Sequence, residues 1–224
     1  MTALTLVIGN KNYSSWSMRP WVLLRQLGMD FEEVKLRFHS PEWDANISRL
    51  SPSGLVPVLR RGDVAVWDSL AIMETVNDWY PDKGVWPADA AARAFARSAA
   101  AEMHSGFRNL RAKMPMNIRA SHPGKGMTPE VASDIARIER LWNEARTRFG
   151  AGGDFLFGRF SAADAMFAPV VMRFATYAVP CGPQAARYCE AVRSAPGIRA
   201  WVEGALAETE FVAEDEPYAE TARP

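Results

Sequence analysis

The pattern of apolar positions changes period near residue 80. Before that point, short β-rich runs alternate with helical stripes. Leu4–Ile8 is apolar, partly β-branched, and stops at Gly9-Asn10, which reads as a buried strand. Over 14–27, Trp16, Val22, Leu23, Leu24 and Leu27 form a stripe, and Gly28 follows as a helix stop. Residues 31–38 alternate as a second strand, and 41–50 suit a short helix. The runs 56–59 and 64–67 flank Arg61-Gly62-Asp63 and read as a hairpin. Leu70, Ile72, Met73, Val76 and Trp79 mark a helix over 69–80, ended by Pro81.

The resulting order, βαβαββα, requires a parallel pair with a right-handed crossover plus an antiparallel hairpin. A mixed four-stranded sheet of this kind resembles a thioredoxin-like α/β domain over 1–80. Residues 81–90, with two prolines, a glycine and two aspartates, read as a linker. Beyond it the pattern is helical only, which predicts an all-α helical-bundle domain over 91–224. Phe95, Ala99, Met103, Phe107, Leu110 and Met114 step by three or four and predict one long helix. Thr128-Pro129 supplies a cap and a first-turn proline for a helix carrying Val131, Ile135, Ile138, Trp142, Ala145 and Phe149 on one face. Ser161 and Asp164 have the spacing of a capping box. Two further helices are expected at about 184–193 and 197–208.

Composition narrows the function classes. The 224 residues hold 26 basic and 26 acidic side chains. A net charge of zero gives no basic footprint for a nucleic acid or an anionic membrane. No apolar run approaches the roughly 20 residues of a membrane span. No basic segment precedes an apolar one at the start, so a cytoplasmic protein is expected. Cys181 and Cys189 form no CxxC, and neither a disulfide framework nor a dithiol redox site is expected. His39, His104 and His122 lack metal-ligand spacing, and no glycine-rich phosphate loop is present. No metal is expected.

Four local features carry a resemblance. They are Ser14-Ser15-Trp16-Ser17-Met18-Arg19 at the first helix, Leu55-Val56-Pro57 before the hairpin, Asp68-Ser69-Leu70-Ala71-Ile72 after it, and Phe160-Ser161-Ala162-Ala163-Asp164 in the helical half. Together they resemble the glutathione transferase superfamily over nearly the whole chain. The first is similar to the zeta class, whose motif reads Ser-Ser-Cys-Ser followed by Arg.

The resemblance implies glutathione as co-substrate and a serine that stabilises its thiolate. A free thiol has a pKa near ~8.5, and lowering it by about two units takes ~2.7 kcal/mol. A hydrogen bond to a charged acceptor supplies about 1.5–3 kcal/mol and a helix N-terminus about 0.3–1 kcal/mol. Ser14 or Ser15 is the candidate hydroxyl; as plain residues both are also ordinary helix caps. Pro57, implied to follow a cis bond, would present the backbone of Val56 to the cysteinyl unit. Asp68 and Ser69, at a helix start, would hold the γ-glutamyl end. Asp68 stands where the family more often has Glu or Gln. Leu55 stands where relatives often carry Gln or Lys, leaving His39 or Arg37 for the glycine carboxylate. Arg108-Asn109-Leu110 resembles a Gln-Asn-Leu stretch by which zeta proteins reach glutathione, which adds Asn109. Trp16, Met103, His104, Phe107, Arg108 and Arg111 are the candidates for the electrophile pocket between the domains.

The activity implied is conjugation of glutathione to a small electrophile by a homodimer paired through helices 69–80 and 91–114. A glutathione-dependent isomerase or dehalogenase, and a non-catalytic binding module, are the alternatives. Trp16 replaces the cysteine of the zeta motif, so isomerisation of maleylacetoacetate is not part of the expectation.

Overall fold

The structure is a computed structural model, and it describes residues 3–219. Four strands form one mixed sheet in the order β2-β1-β3-β4. Strand β1 (Leu4–Ile8) runs parallel to β2 (Glu32–Lys35), with Thr5 opposite Glu32 and Ile8 opposite Lys35. It runs antiparallel to β3 (Val58–Arg61), which forms the hairpin with β4 (Val64–Val66). Gly62 turns that hairpin at φ 60°, a left-handed conformation that glycine adopts without steric cost.

Successive side chains of a strand point to opposite faces, and β1 divides the layers accordingly. Leu6 and Ile8 face a core shared with α1 (Ser15–Gln26) and α3 (Ser69–Trp79), through Met18, Val22, Ile72 and Val76. Val7 faces the other way, with Leu36 and Val58, against Trp43, Ile47 and Leu50 of α2 (Pro41–Leu50). The expected order βαβαββα is the order observed.

The rest is helical. It comprises α4 (Ala90–Ser105), α5 (Arg108–Lys113), α6 (Pro129–Phe149), α7 (Ala162–Thr176), α8 (Pro183–Ser194) and α9 (Pro196–Leu206). Every residue of α7 except Ala175 is buried, because α1, α4 and α8 all pack around it. An all-round apolar helix such as this belongs at the centre of a bundle. The capping box starts it: Asp164 Oδ2 accepts the Ser161 N–H at 2.8 Å and the Ser161 hydroxyl at 3.0 Å. The core is continuous from the sheet's helical face into this bundle.

One expectation is corrected. The long helix expected through residue 114 is broken at Gly106-Phe107, where Phe107 adopts a left-handed φ of 53°. The apolar steps run on because Met103, Phe107, Leu110 and Met114 all still face the core. The backbone groups released by the break find other partners. Arg111 Nη1 donates to the carbonyls of His104 at 3.1 Å and Gly106 at 3.2 Å. The Leu110 N–H donates to Asp134 Oδ2 at 3.0 Å. The break turns α5 toward the first helix, and that places the arginines described next.

Candidate active site

A cleft of about 510 Å³ opens between the N-terminal end of α1, the segment before β3, and helices α5 and α7. Tyr13, Ser14, Ser15, Trp16, Val56, Arg108, Arg111, Arg173 and Asp215 are among the residues lining it. A larger groove of about 680 Å³ lies between α7, α8 and α9 but holds none of the motif residues. The chemistry therefore points to the smaller one.

Ser14 caps α1 and is 5% exposed. Its Oγ accepts the Ser17 N–H at 3.3 Å, and its hydroxyl donates to Ser17 Oγ at 2.7 Å. Ser17 Oγ also accepts the Gly9 N–H at 3.1 Å, which ties the cap to the end of β1. Ser15 is more open, in the first turn of α1. Both hydroxyls thus sit where the helix N-terminus favours an anion. Tyr13 lines the same wall, but its hydroxyl is engaged elsewhere. It donates to Glu216 at 2.6 Å and accepts from Arg119 at 3.0 Å. Burial, with Glu216 beside it, pushes the Tyr13 pKa up.

Val56 lines the cleft and is joined to Pro57 by a cis peptide bond. Asp68 caps α3: its Oδ1 accepts the Leu70 N–H at 2.9 Å. Its Oδ2 meets His104 Nε2 at 3.0 Å. Ser69, 1% exposed in the first turn of α3, has a hydroxyl with no partner among the described residues. A buried, unsatisfied donor at a helix start suits an incoming carboxylate.

Trp16 joins the two halves of the molecule. The Arg19 guanidinium lies 4.0 Å from its ring centre and that of Arg111 lies 4.8 Å away. The His104 ring meets its edge at 5.2 Å. The indole is therefore clasped by cations, an arrangement its negative π-face favours.

The second half of the cleft is basic. Arg173, on α7, is 4% exposed; its Nε donates to the Met114 carbonyl at 2.8 Å, and its Nη1 has no partner among the described residues. Burial, then the nearby Arg111, lowers its pKa to about 10. Arg19, directly behind Trp16, is 1% exposed and likewise has a free Nη1 among the described residues. Burial, reinforced by Arg173 and Arg111, pulls its pKa well down. Arg108 and Arg111 complete the lining.

Not all the candidates line the cleft, and Pro57, Asp68 and Ser69 lie outside its lining. Ser14, Ser15, Trp16, Val56, Arg108 and Arg111 meet in the cleft, with His104 touching Trp16 from behind. Met103 and Phe107 are instead buried in the core, because their side of α4 and of the break faces the other helices. Asn109 is exposed and does not line the cleft, and His39 is exposed, with Nε2 at 3.7 Å from Glu214. Arg173 and Asp215 are not among the sequence candidates, and Arg19 is there only as the last residue of the serine motif. An arginine within the apolar run Val170 to Phe174 was a usable signal, since a fully buried arginine is rare without a partner. Asp215 sits among other acids and gave none. Among the described residues, no group of three His, Cys, Asp or Glu side chains could hold a metal ion.

Two domain models match the sequence. The glutathione S-transferase N-terminal domain matches residues 13–79 and the glutathione S-transferase C-terminal domain matches 128–204. The chain belongs to the glutathione S-transferase family. Among its relatives is glutathione S-transferase Z2 of Arabidopsis thaliana, 26% identical over 207 residues, covering 84% of this chain and 88% of that protein. A probable maleylacetoacetate isomerase of Caenorhabditis elegans is 25% identical over 144 residues, covering 62% and 66%. A solved Burkholderia glutathione transferase homolog with bound glutathione superposes with a TM-score of 0.67 at 25% identity, covering 92% of this chain and all of that one. The family relation is thus zeta-like, and members of this family bind glutathione. No described helix is long and apolar enough to cross a membrane.

Proposed function

We propose that this family member activates the glutathione thiol through Ser14, whose hydroxyl turns from Ser17 Oγ to the sulfur, with Ser15 beside it, and passes it to a small electrophile that carries a carboxylate. Family membership supports glutathione-dependent transferase or isomerase chemistry. The carboxylate rests on one observation: the buried Nη1 of Arg173 reaches no partner among the described residues, in a cleft also lined by Arg108 and Arg111. A buried guanidinium donor left unsatisfied is costly, and an anionic ligand group satisfies it. In this reading Val56 presents its backbone to the cysteinyl unit, and the Ser69 hydroxyl and the start of α3 hold the γ-glutamyl carboxylate. Residues 1–80 then bind glutathione, 81–90 link, and 91–224 hold the second substrate. A homodimer through the outer faces of α3 and α4 accompanies it; a monomer mass by light scattering at working concentration would contradict that part.

The test of substrate charge compares turnover of a chloronitrobenzoate with that of its carboxamide. The anion is expected to be favoured by about 10–100-fold in kcat/KM, the worth of one charge-assisted hydrogen bond, and Arg173→Met should erase the gap. Equal turnover of the two compounds by the native protein would refute the anionic substrate. The test of the serines is thiolate absorbance of the glutathione complex in Ser14→Ala and Ser15→Ala. Thiolate retained in both variants refutes the serine assignment.

Isomerisation is a second reading with its own support. Maleylacetoacetate, the compound in the name of the nematode relative, bears carboxylates that suit the same arginines. Conversion of maleylacetoacetate in the presence of catalytic glutathione distinguishes it from net conjugation, which consumes glutathione.

A further inference from the structure

The cleft has a fourth wall that the serine and arginine chemistry leaves unexplained. The segment 207–218, after α9, returns along the N-terminal half and ends on α5. Glu208 accepts the N–H groups of Lys11 at 2.8 Å and Asn12 at 3.0 Å, and Arg119 donates to the carbonyls of Glu208 and Glu210. Tyr13 holds Glu216 at 2.6 Å, and the Tyr218 hydroxyl donates to the Lys113 carbonyl at 2.7 Å. This strap places Asp215 among the residues that line the cleft, with Arg108, Arg111 and Arg173. No ion pair within 4.0 Å joins Asp215 to any of them among the described residues. The arginines are thus shared with an acid that leaves the Arg173 Nη1 free.

We propose that Asp215 is a specificity-determining residue that couples the binding of a carboxylate-bearing second substrate to the uptake of one proton. The proposal rests on the anionic-substrate reading above. A ligand carboxylate at Arg173 puts two carboxylates around one guanidinium cluster. Two carboxylates sharing one guanidinium cluster disfavour each other's ionisation, so one takes a proton. Asp215 is the one prepared to do so. Burial already raises its pKa to about 6, against the lowering influence of Arg173. On protonation its hydroxyl becomes a donor to the ligand carboxylate, so the step is a carboxylate plus a proton giving a carboxylic acid, with no change of oxidation state.

The other groups around it are accounted for. Glu214 and Glu216, on the strap, and His39, after β2, act on Asp215, as does Arg173. Tyr177, on the α7 side, has its pKa raised mainly by its own burial, so it holds its proton here. Tyr13, Arg108 and Arg111 line the cleft itself. Imidazoles as a class change charge between about pH 5 and 8, so the experiment must separate His39 from Asp215.

The test uses the glutathione-saturated protein and nitrobenzoate, an unreactive anion, with nitrobenzamide as its neutral counterpart. Calorimetry near pH 6.5 in buffers of different ionisation enthalpy reads the protons taken up. Nitrobenzoate is expected to bind with uptake of roughly half a proton, because the Asp215 pKa, already raised to about 6, rises further when a second carboxylate arrives. Nitrobenzamide is expected to bind with none. Asp215→Asn should abolish the uptake and strengthen nitrobenzoate binding at pH 7.5 by about 5–10-fold, while His39→Gln keeps the uptake. Asp215→Ser, with no amide to donate, should match the asparagine variant in proton uptake; thermal melting confirms that both fold. Unchanged uptake in both Asp215 variants, or its loss in His39→Gln alone, overturns the role of Asp215 and leaves the anionic-substrate reading standing. Absence of nitrobenzoate binding to the native protein overturns both together.

Discussion

At the scale of single residues, Trp16 best shows what the sequence could and could not convey. Its position in the serine motif marked it as part of the site, and the structure places it on the cleft wall. Its partners were not legible. Arg19 is three residues along the same helix, but Arg111 and His104 come from the other half of the chain, and only tertiary packing brings them to the ring. The same limit explains why Ser14, Val56 and Ser69 stand out as candidates in the sequence while Arg173 and Asp215 do not; of the first three, Ser14 and Val56 line the cleft. The first three sit at strand and helix ends that local patterns mark, whereas the other two converge from α7 and the strap. The clasp predicts a joint effect. Trp16→Ala removes two cation–π contacts and a ring edge, and should lower stability by about 2 kcal/mol. It should also raise KM for glutathione, because His104 loses the ring that steadies it against Asp68. Urea midpoints and glutathione titration read the two effects; a drop in stability with unchanged KM would detach Trp16 from the site.

At the scale of elements, the period-two and period-four patterns located the strands and most helices to within a few residues. The helix α6 was legible because Thr128 caps it, Pro129 suits its first turn, and its apolar stripe is unbroken. The division between α4 and α5 was not, because apolar spacing reports which side chains are buried and is silent on continuity of the backbone. Gly106 was the local clue. A Cβ built there would lie 2.7 Å from the Glu102 carbonyl oxygen, closer than real Cβ contacts come. Gly106→Ala must therefore move either the end of α4 or the start of α5. A cost of about 1–3 kcal/mol is expected from the overpacking. The more telling readout is selectivity: Arg111 is anchored on the His104 and Gly106 carbonyls, so a shifted break carries Arg108 and Arg111 with it. The preference for chloronitrobenzoate over its carboxamide should shrink several-fold. A variant that is destabilised yet equally selective would show that the break serves packing alone.

At the scale of the whole molecule, the strap makes the two halves interdependent, and Glu208 is its main anchor. The side chain is 2% exposed and its Oε1 also meets Lys35 Nζ at 3.1 Å, so one carboxylate serves two backbone donors and an ammonium group. The amide of glutamine offers one oxygen and presents an NH2 group to a donor, so Glu208→Gln leaves at least one backbone N–H unsatisfied. A cost of about 2–4 kcal/mol is expected at this joint. Where that cost is felt decides the strap's character. Of the strap's apolar side chains, Tyr218 packs against the α7-centred core and Val212 lies outside it, so the strap can release while the core stays folded. Limited proteolysis should then cut within 207–218 at least 10-fold faster in the variant, with only a small change in the global unfolding midpoint. Release also removes Asp215 from the cleft, so nitrobenzoate should bind the variant without proton uptake. If the strap is instead cut at the native rate while the global midpoint falls, the segment belongs to the folding core, and Asp215 is a fixed wall of the cleft.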